Sequence, residues 1–203
     1  MDRQQNILPV SQTFEIVAIA ASAGGLNALS ELLAALPETF PCKIVVVQHL
    51  SPDHFSHLSE ILARRVHLPI KQAEQGEQLR PRHIYTAPPG YHLLVNGQGT
   101  VSLTCTEEIN FVRPSADVFL DSVAATYGKR AIAIILTGTG KDGAEGIQSI
   151  HQSGGLVIVQ DPETAEFEGM PDSAIATEIV DFVIPLADIA QKLIDLVTQE
   201  PSK

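Results

Sequence analysis

Short apolar runs and helix-period segments alternate along this chain of 203 residues. Ile16–Ile19, Lys43–Gln48, Ala131–Leu136 and Leu156–Val159 are rich in Val, Ile and Ala and lack the polar alternation of a half-exposed strand. Such runs read as strands buried on both faces. After the first, Leu26, Leu29, Leu32, Leu33 and Leu36 share one helical face, and Pro37 stands where that helix must stop. Residues 52–65 predict a second helix, with Pro52 near its first turn and Arg64-Arg65 at its last. Residues 114–127 predict a third, with Gly128 as its C-cap. Further helices are expected between Gly143 and Gln152, over Asp172–Thr177 and over Ala187–Thr198. Short strands are expected at Leu68–Ala73, His83–Ala87 and Phe182–Ile184. Asn96-Gly97-Gln98-Gly99 joins two alternating runs and predicts a hairpin that adds antiparallel strands at one edge of the sheet.

The alternation predicts an α/β fold, a doubly wound and mostly parallel sheet with that antiparallel edge hairpin. Residues 1–13 read as a loose leader, 14–199 as one domain and 200–203 as a tail. In doubly wound sheets ligands sit beyond the carboxyl ends of the strands. The residues just past those ends are Ser22, His49, Asp142 in a glycine loop, and Asp161.

A serine, a histidine and an aspartate at neighbouring strand ends suit nucleophilic catalysis. Imidazole takes the hydroxyl proton, and a carboxylate behind it fixes its tautomer. Ser22 sits in Ala20-Ala21-Ser22-Ala23-Gly24-Gly25, a small-residue turn that exposes a hydroxyl and aims N–H groups at an anion. The same turn is equally a helix N-cap or a phosphate cradle. The chain order Ser…His…Asp differs from that of α/β-hydrolases, and Ala20 replaces the first glycine of their G-x-S-x-G turn. Asp142 and Asp161 both remain candidates for the third role, and each is also a plausible turn or cap residue. Ser115, in Arg113-Pro114-Ser115, reads as a helix cap or a substrate contact. His54 and His57, three apart on a helix, read as a solvated face, since no third metal ligand accompanies them.

Composition narrows the partners. A formal net charge of -11 argues against nucleic acid and against an anionic membrane surface. No apolar run is long enough to insert in a membrane, and the polar first residues lack a signal-peptide core. Cys42 and Cys105 make no disulfide framework and suit a reducing cytoplasm.

ASAGGLNAL, VVVQHLSPDHF, HIYTAPPGYHL, RPSADVFLDSVA, ILTGTGKDGAEGI and QDPETAEFEGMPDSAI, in this order, resemble the catalytic domain of the bacterial chemotaxis protein-glutamate methylesterases, the CheB type. The likeness runs from about Ile16 to about Ile194. It implies a cytoplasmic serine esterase that removes γ-methyl esters from glutamates of chemoreceptors and deamidates certain receptor glutamines, without metal or cofactor. It assigns Ser22 as nucleophile, His49 as base and Asp142, rather than Asp161, as its partner. Backbone donors of Ala23, Gly24, Thr139 and Gly140 are the expected oxyanion site, with Arg113 and Met170 as cleft residues. Many members carry threonine where this chain has Ala23 and methionine where it has Thr139. The family's usual N-terminal phosphoryl-receiving domain is not expected within so short a leader, which leaves a separate response regulator as the candidate for control. The alternatives are a phosphate- or nucleotide-binding module built on the glycine-rich turns, and a catalytically degenerate scaffold.

Overall fold

The computed structural model describes residues 13–49 and 57–198. Its centre is a seven-stranded sheet in the order β3-β4-β2-β1-β7-β8-β9, in which every pairing is parallel. The strands are β1 (Ile16–Ala21), β2 (Lys43–Gln48), β3 (Ile70–Gln72), β4 (Ile84–Thr86), β7 (Ala131–Ile135), β8 (Leu156–Gln160) and β9 (Phe182–Ile184). Every residue of β1, β7 and β8 is buried, which is why those runs are apolar except for Gln160 at the end of β8.

Side chains alternate between two cores. Ile16, Ala18 and Ala20 face a layer that includes α3 (Ala116–Tyr127), α4 (Gly146–Gln152) and α5 (Gly169–Ile175). Val17, Ile19 and Ala21 face α1 (Gly25–Ala34), α2 (Leu58–Ala63) and α6 (Leu186–Thr198). Leu29, Leu32 and Leu33 on α1 and Leu36 just after it all lie in this second core, while Leu26 is exposed. The sheet is therefore doubly wound, as the alternation of elements predicts. The chain runs outward from β1 to β2 and on to β3 at the edge, steps back to β4 between them, then returns to place β7 on the other side of β1. The crevice at that reversal, outside the carboxyl ends of the strands, is where a ligand fits such a sheet.

Two differences from the sequence expectations have physical causes. The hairpin of β5 (His92–Val95) and β6 (Val101–Thr104) forms, but as a separate two-stranded sheet rather than at an edge of the main one. Its edges are occupied elsewhere. Val95 N–H donates to Ser122 Oγ and Val95 C=O accepts from Thr126 Oγ1, both on α3, while Val101 pairs with Gly76 and Glu77. Helix α5 begins at Gly169, earlier than expected, because Pro171 falls within its first turn, where no backbone N–H is required. The expected helix over 52–65 is described only from residue 57 and spans Leu58–Ala63; its earlier part, with His54, lies outside the described residues. No helix among the described residues is long and apolar enough to cross a membrane.

Candidate active site

The strand ends beside β1 are tied together by backbone bonds that continue the sheet past its last residues. Ser22 N–H donates to Thr137 C=O (3.0 Å), and His49 N–H donates to Ala21 C=O (3.0 Å). Ser22 thus lies between the end of β2 on one side and the loop after β7 on the other. The Gln48 amide strengthens the first junction, donating from Nε2 to Ser22 C=O (2.7 Å) and His49 C=O (3.1 Å). Thr137 strengthens the second, with Oγ1 donating to Ala23 C=O (3.1 Å) and accepting from Phe167 N–H (2.9 Å).

Ser22, His49 and Asp142 line one cavity of about 280 Å³, together with Thr139 and Gly140. His49 Nε2 is 2.7 Å from Asp142 Oδ2, with both side chains largely buried. An ionised carboxylate only accepts, so Nε2 carries the proton and Nδ1 is left as the basic nitrogen. Among the described residues no hydrogen bond joins Ser22 Oγ to His49. Such spacing is common before a substrate closes a catalytic site.

Asp142 is held from several sides. Ser115 Oγ donates to Oδ1 (2.9 Å), Ala116 N–H donates to Oδ2, and Asp117 N–H donates to Oδ1 (3.3 Å). Burial pushes the carboxyl pKa up, but the hydrogen bonds from His49, Ala116 and Ser115 outweigh it, so the group stays well below the usual carboxylate range. Asp142 is therefore ionised wherever His49 can work as a base. Both readings of Ser115 meet here in one hydroxyl: it accepts from Val118 N–H as the cap of α3 and donates to Asp142. Asp161 does something else. Its side chain accepts from Glu163 N–H (3.0 Å) in the turn before Thr164, the Asx geometry expected ahead of Pro162.

A second buried carboxylate, Asp117, stands beside Asp142. Its Oδ1 accepts from Gly143, Glu145 and Gly146 N–H groups, and its Oδ2 accepts from Asn110 Nδ2 (2.9 Å). Burial raises its pKa, and the Asp142 charge adds to that rise against the backbone donors. Asn110 Nδ2 also reaches Asp142 Oδ1 (3.4 Å), so one amide bridges the pair. Sequence reasoning missed Gln48, Asn110 and Asp117. The only signal for Gln48 was a polar residue ending an otherwise apolar strand. Asp117 had none beyond its place in the first turn of a helix.

The expected oxyanion donors separate into two groups. Among the described residues, the N–H groups of Ala23, Gly24, Thr139 and Gly140 donate to no other group, whereas Gly25 N–H is taken by Ser22 C=O (2.9 Å). Thr139 and Gly140 are on the cavity wall; Ala23 and Gly24 are not. The Thr139–Gly140 loop is braced by α5. Met170 N–H donates to Gly138 C=O (2.8 Å), and a side chain at Gly169 would meet Gly140 N at 3.0 Å. Arg113 and Met170 are not among the residues that line this cavity. Met170 is buried, with its sulfur against Gly138. Arg113 turns away to donate from Nη1 to Thr106 C=O (2.7 Å). The rest of the cavity wall is made by Asn110, Phe111, Val112 and Lys141. No cluster of metal-binding side chains occurs among the described residues.

A doubly wound sheet that brings a serine, a histidine and a carboxylate to one cavity beyond its strand ends is an arrangement suited to ester hydrolysis. Residues 17–193 match the family model for the CheB methylesterase, and the chain belongs to that family. The crystal structure of the Thermotoga maritima CheB methylesterase catalytic domain is similar, with a TM-score of 0.87 and 41% identity over 91% of this chain and 100% of that one. A Leptospira interrogans protein provisionally named protein-glutamate methylesterase/protein-glutamine glutaminase is 42% identical over 90% of this chain and 95% of its own length. The Myxococcus xanthus protein-glutamate methylesterase/protein-glutamine glutaminase 4 is 41% identical over 88% of this chain, which spans only 50% of that protein.

Proposed function

We propose that this chain hydrolyses γ-methyl esters on glutamate side chains in the cytoplasmic region of a chemoreceptor, with Ser22 as the nucleophile, His49 as the base and Asp142 as its partner. The observation that carries the proposal is the 2.7 Å contact from His49 Nε2 to Asp142 Oδ2 inside the cavity that Ser22 also lines. With Nε2–H committed to Asp142, Nδ1 takes the Ser22 proton as Oγ attacks the ester carbonyl. The oxyanion is received by free backbone donors. Thr139 and Gly140 N–H groups are on the wall for this, and those of Ala23 and Gly24 follow Ser22 in its own turn. His49 returns the proton to the departing methoxide, and methanol leaves. Water, deprotonated by the same nitrogen, then cleaves the acyl-serine to free glutamate. A glutamine substrate takes the same path with ammonia as the leaving group. The path calls on no metal or organic cofactor.

The oxyanion donors proposed here are backbone groups, so alanine and threonine at positions 23 and 139 are compatible with the chemistry. The setting is cytoplasmic, where the receptor's methylated region lies, and a separate response regulator is the partner proposed for control. Methanol release from methyl-labelled receptor membranes tests the reading. Ser22→Ala should abolish release, and a serine-directed phosphonate should label the wild type but not the variant. Undiminished release by Ser22→Ala would refute the assignment.

A further inference from the structure

We propose that the turn at Asn110-Phe111 is a docking element for the polypeptide that carries the esterified glutamate, and that Phe111 takes an apolar side chain of that polypeptide beside the scissile ester. This rests on the esterase reading above.

The backbone of the turn is unusual. Ile109 and Val112 exchange hydrogen bonds (3.3 and 3.0 Å) around two residues of positive φ, Asn110 at 53° and Phe111 at 63°. That is the type I′ pattern, in which the first position suits asparagine and the second is ordinarily glycine. A phenylalanine there carries a Cβ in the left-handed region, which is unfavourable for any residue that has one. Burial does not offset this, because Phe111 is 95% exposed. Ile109 beside it is also exposed. A strained backbone carrying an uncovered aromatic ring gains nothing from the folded chain itself, and such features concentrate where a ligand is held.

The turn is also braced. Asn110 Nδ2 is fixed by Asp117 and Asp142, the second of which is the carboxylate behind His49. Buried His92 holds both ends of the surrounding loop, with Nε2 donating to Glu107 C=O (3.0 Å) and Nδ1 accepting from Ser115 N–H (3.1 Å). Arg113 adds its bond to Thr106 C=O. The ring is thus presented from a fixed base, and docking on it loses little chain entropy.

The cavity identifies what docks. Phe111 and Ser22 line the same space. A glutamate ester must pass into it to reach Ser22, so the backbone bearing that glutamate stays at the mouth, where Phe111 and Val112 stand. Residues flanking the esterified glutamate are the groups that meet the ring, which makes the occupant the substrate polypeptide rather than a second copy of this chain.

The test compares two substrates, a methyl-esterified chemoreceptor cytoplasmic fragment and the γ-methyl ester of N-acetylglutamate amide. For Phe111→Ala and Phe111→Gly, kcat/KM on the fragment should fall by about tenfold more than on the small ester, chiefly through KM, the loss typical of one interfacial aromatic anchor. Phe111→Gly should melt no lower than the wild type, because glycine suits the positive φ. Equal losses on both substrates, no loss on the fragment, or a lowered melting point with parallel loss of both activities would overturn the proposal. So would a wild-type dimer in sedimentation that Phe111→Ala converts to monomer. If the wild type hydrolyses neither ester, the esterase reading falls and the docking role falls with it. If it hydrolyses both and the variants do not discriminate, only the docking role falls.

Discussion

Asp142→Asn separates the role of the carboxylate in catalysis from its role in the fold. Asp142 Oδ2 faces His49 Nε2 and Ala116 N–H; Oδ1 faces Ser115 Oγ, Asp117 N–H and Asn110 Nδ2. Asparagine keeps one oxygen, so whichever way the amide turns, its NH₂ confronts at least two donors. At about 1.5–3 kcal/mol for each bond to a charged group, the loss is about 3–6 kcal/mol. Removing a buried charge, and its repulsion of Asp117, returns part of this, for a net destabilisation of about 2–4 kcal/mol. A domain of ordinary stability, about 5–15 kcal/mol, remains folded. Activity should fall further, by about 10³–10⁴ in kcat, because His49 loses the partner that fixes its tautomer and balances its charge. Urea unfolding followed by circular dichroism gives the first number, and methanol release gives the second. The acid limb of stability supplies an independent check. The native pKa of Asp142 is depressed, so its contribution is complete above its unfolded pKa, about 3.9, and is lost as pH falls through the lower native value. Asp117, whose pKa is raised, has the opposite sign: its contribution is present at low pH and is lost as pH rises through the native value. Asp142→Asn should therefore flatten the loss of stability below about pH 4. Asp161→Asn is the control, since asparagine keeps the Asx turn to Glu163 N–H. An Asp142→Asn enzyme within about tenfold of wild type, or an Asp161→Asn enzyme equally damaged, would refute the reasoning.

Two further substitutions probe how the nucleophile is held. Gln48→Leu removes both bonds that tie Ser22 C=O and His49 C=O to one side chain, while Gln48 Oε1, which has no partner among the described residues, forfeits nothing. The expected cost is about 1–3 kcal/mol in urea unfolding, with kcat reduced about 10- to 100-fold as the serine and histidine lose registration. Unchanged kinetics would show that the backbone bonds alone suffice. At Gly138 an added Cβ would meet Ser22 Cβ at 2.7 Å and Met170 Sδ at 2.3 Å. The thioether can swing aside but the serine cannot, so Gly138→Ala should reduce kcat about 100-fold or more with a smaller effect on melting temperature. Gly97→Ala, where a Cβ meets nothing within 4 Å, is the control, and equal activity of the two variants would sink the argument.

What the sequence revealed and what it withheld divide along a physical line. Strands β1, β7 and β8 are buried on both faces, so nearly every residue is apolar and the pattern is visible without a structure. Ser22, His49 and Asp142 follow β1, β2 and β7, and the carboxyl end of a parallel strand is a fixed place that any reading of the strand also marks. Choosing Asp142 over Asp161 needed more. Both end buried runs, so periodicity leaves them equal; the family resemblance favours Asp142, and in the structure the bonds from Ser115, Ala116 and His49 go to Asp142 alone. The hairpin was legible as two strands and a turn but not in its placement, since its β5 edge is bonded by the Ser122 and Thr126 hydroxyls of α3 and its β6 edge by Gly76 and Glu77. Arg113 and Met170 show the same limit in the site. Each lies in a segment that packs on the glycine loop or the cavity mouth, yet their side chains point into supporting structure while Phe111 and Lys141 take the wall. Periodicity reports which face of an element is buried. It does not report which loop residue turns toward a neighbour distant in sequence, and Asp117 depends wholly on such neighbours. Its carboxylate caps the start of α4 and, through Asn110, braces the turn that carries Phe111, so a single helix-terminal residue joins the base's partner to the mouth of the cavity. The strand ends carry the proposed chemistry; the loops after β6 and β7, anchored on that buried pair of carboxylates, supply the rest of the cavity wall.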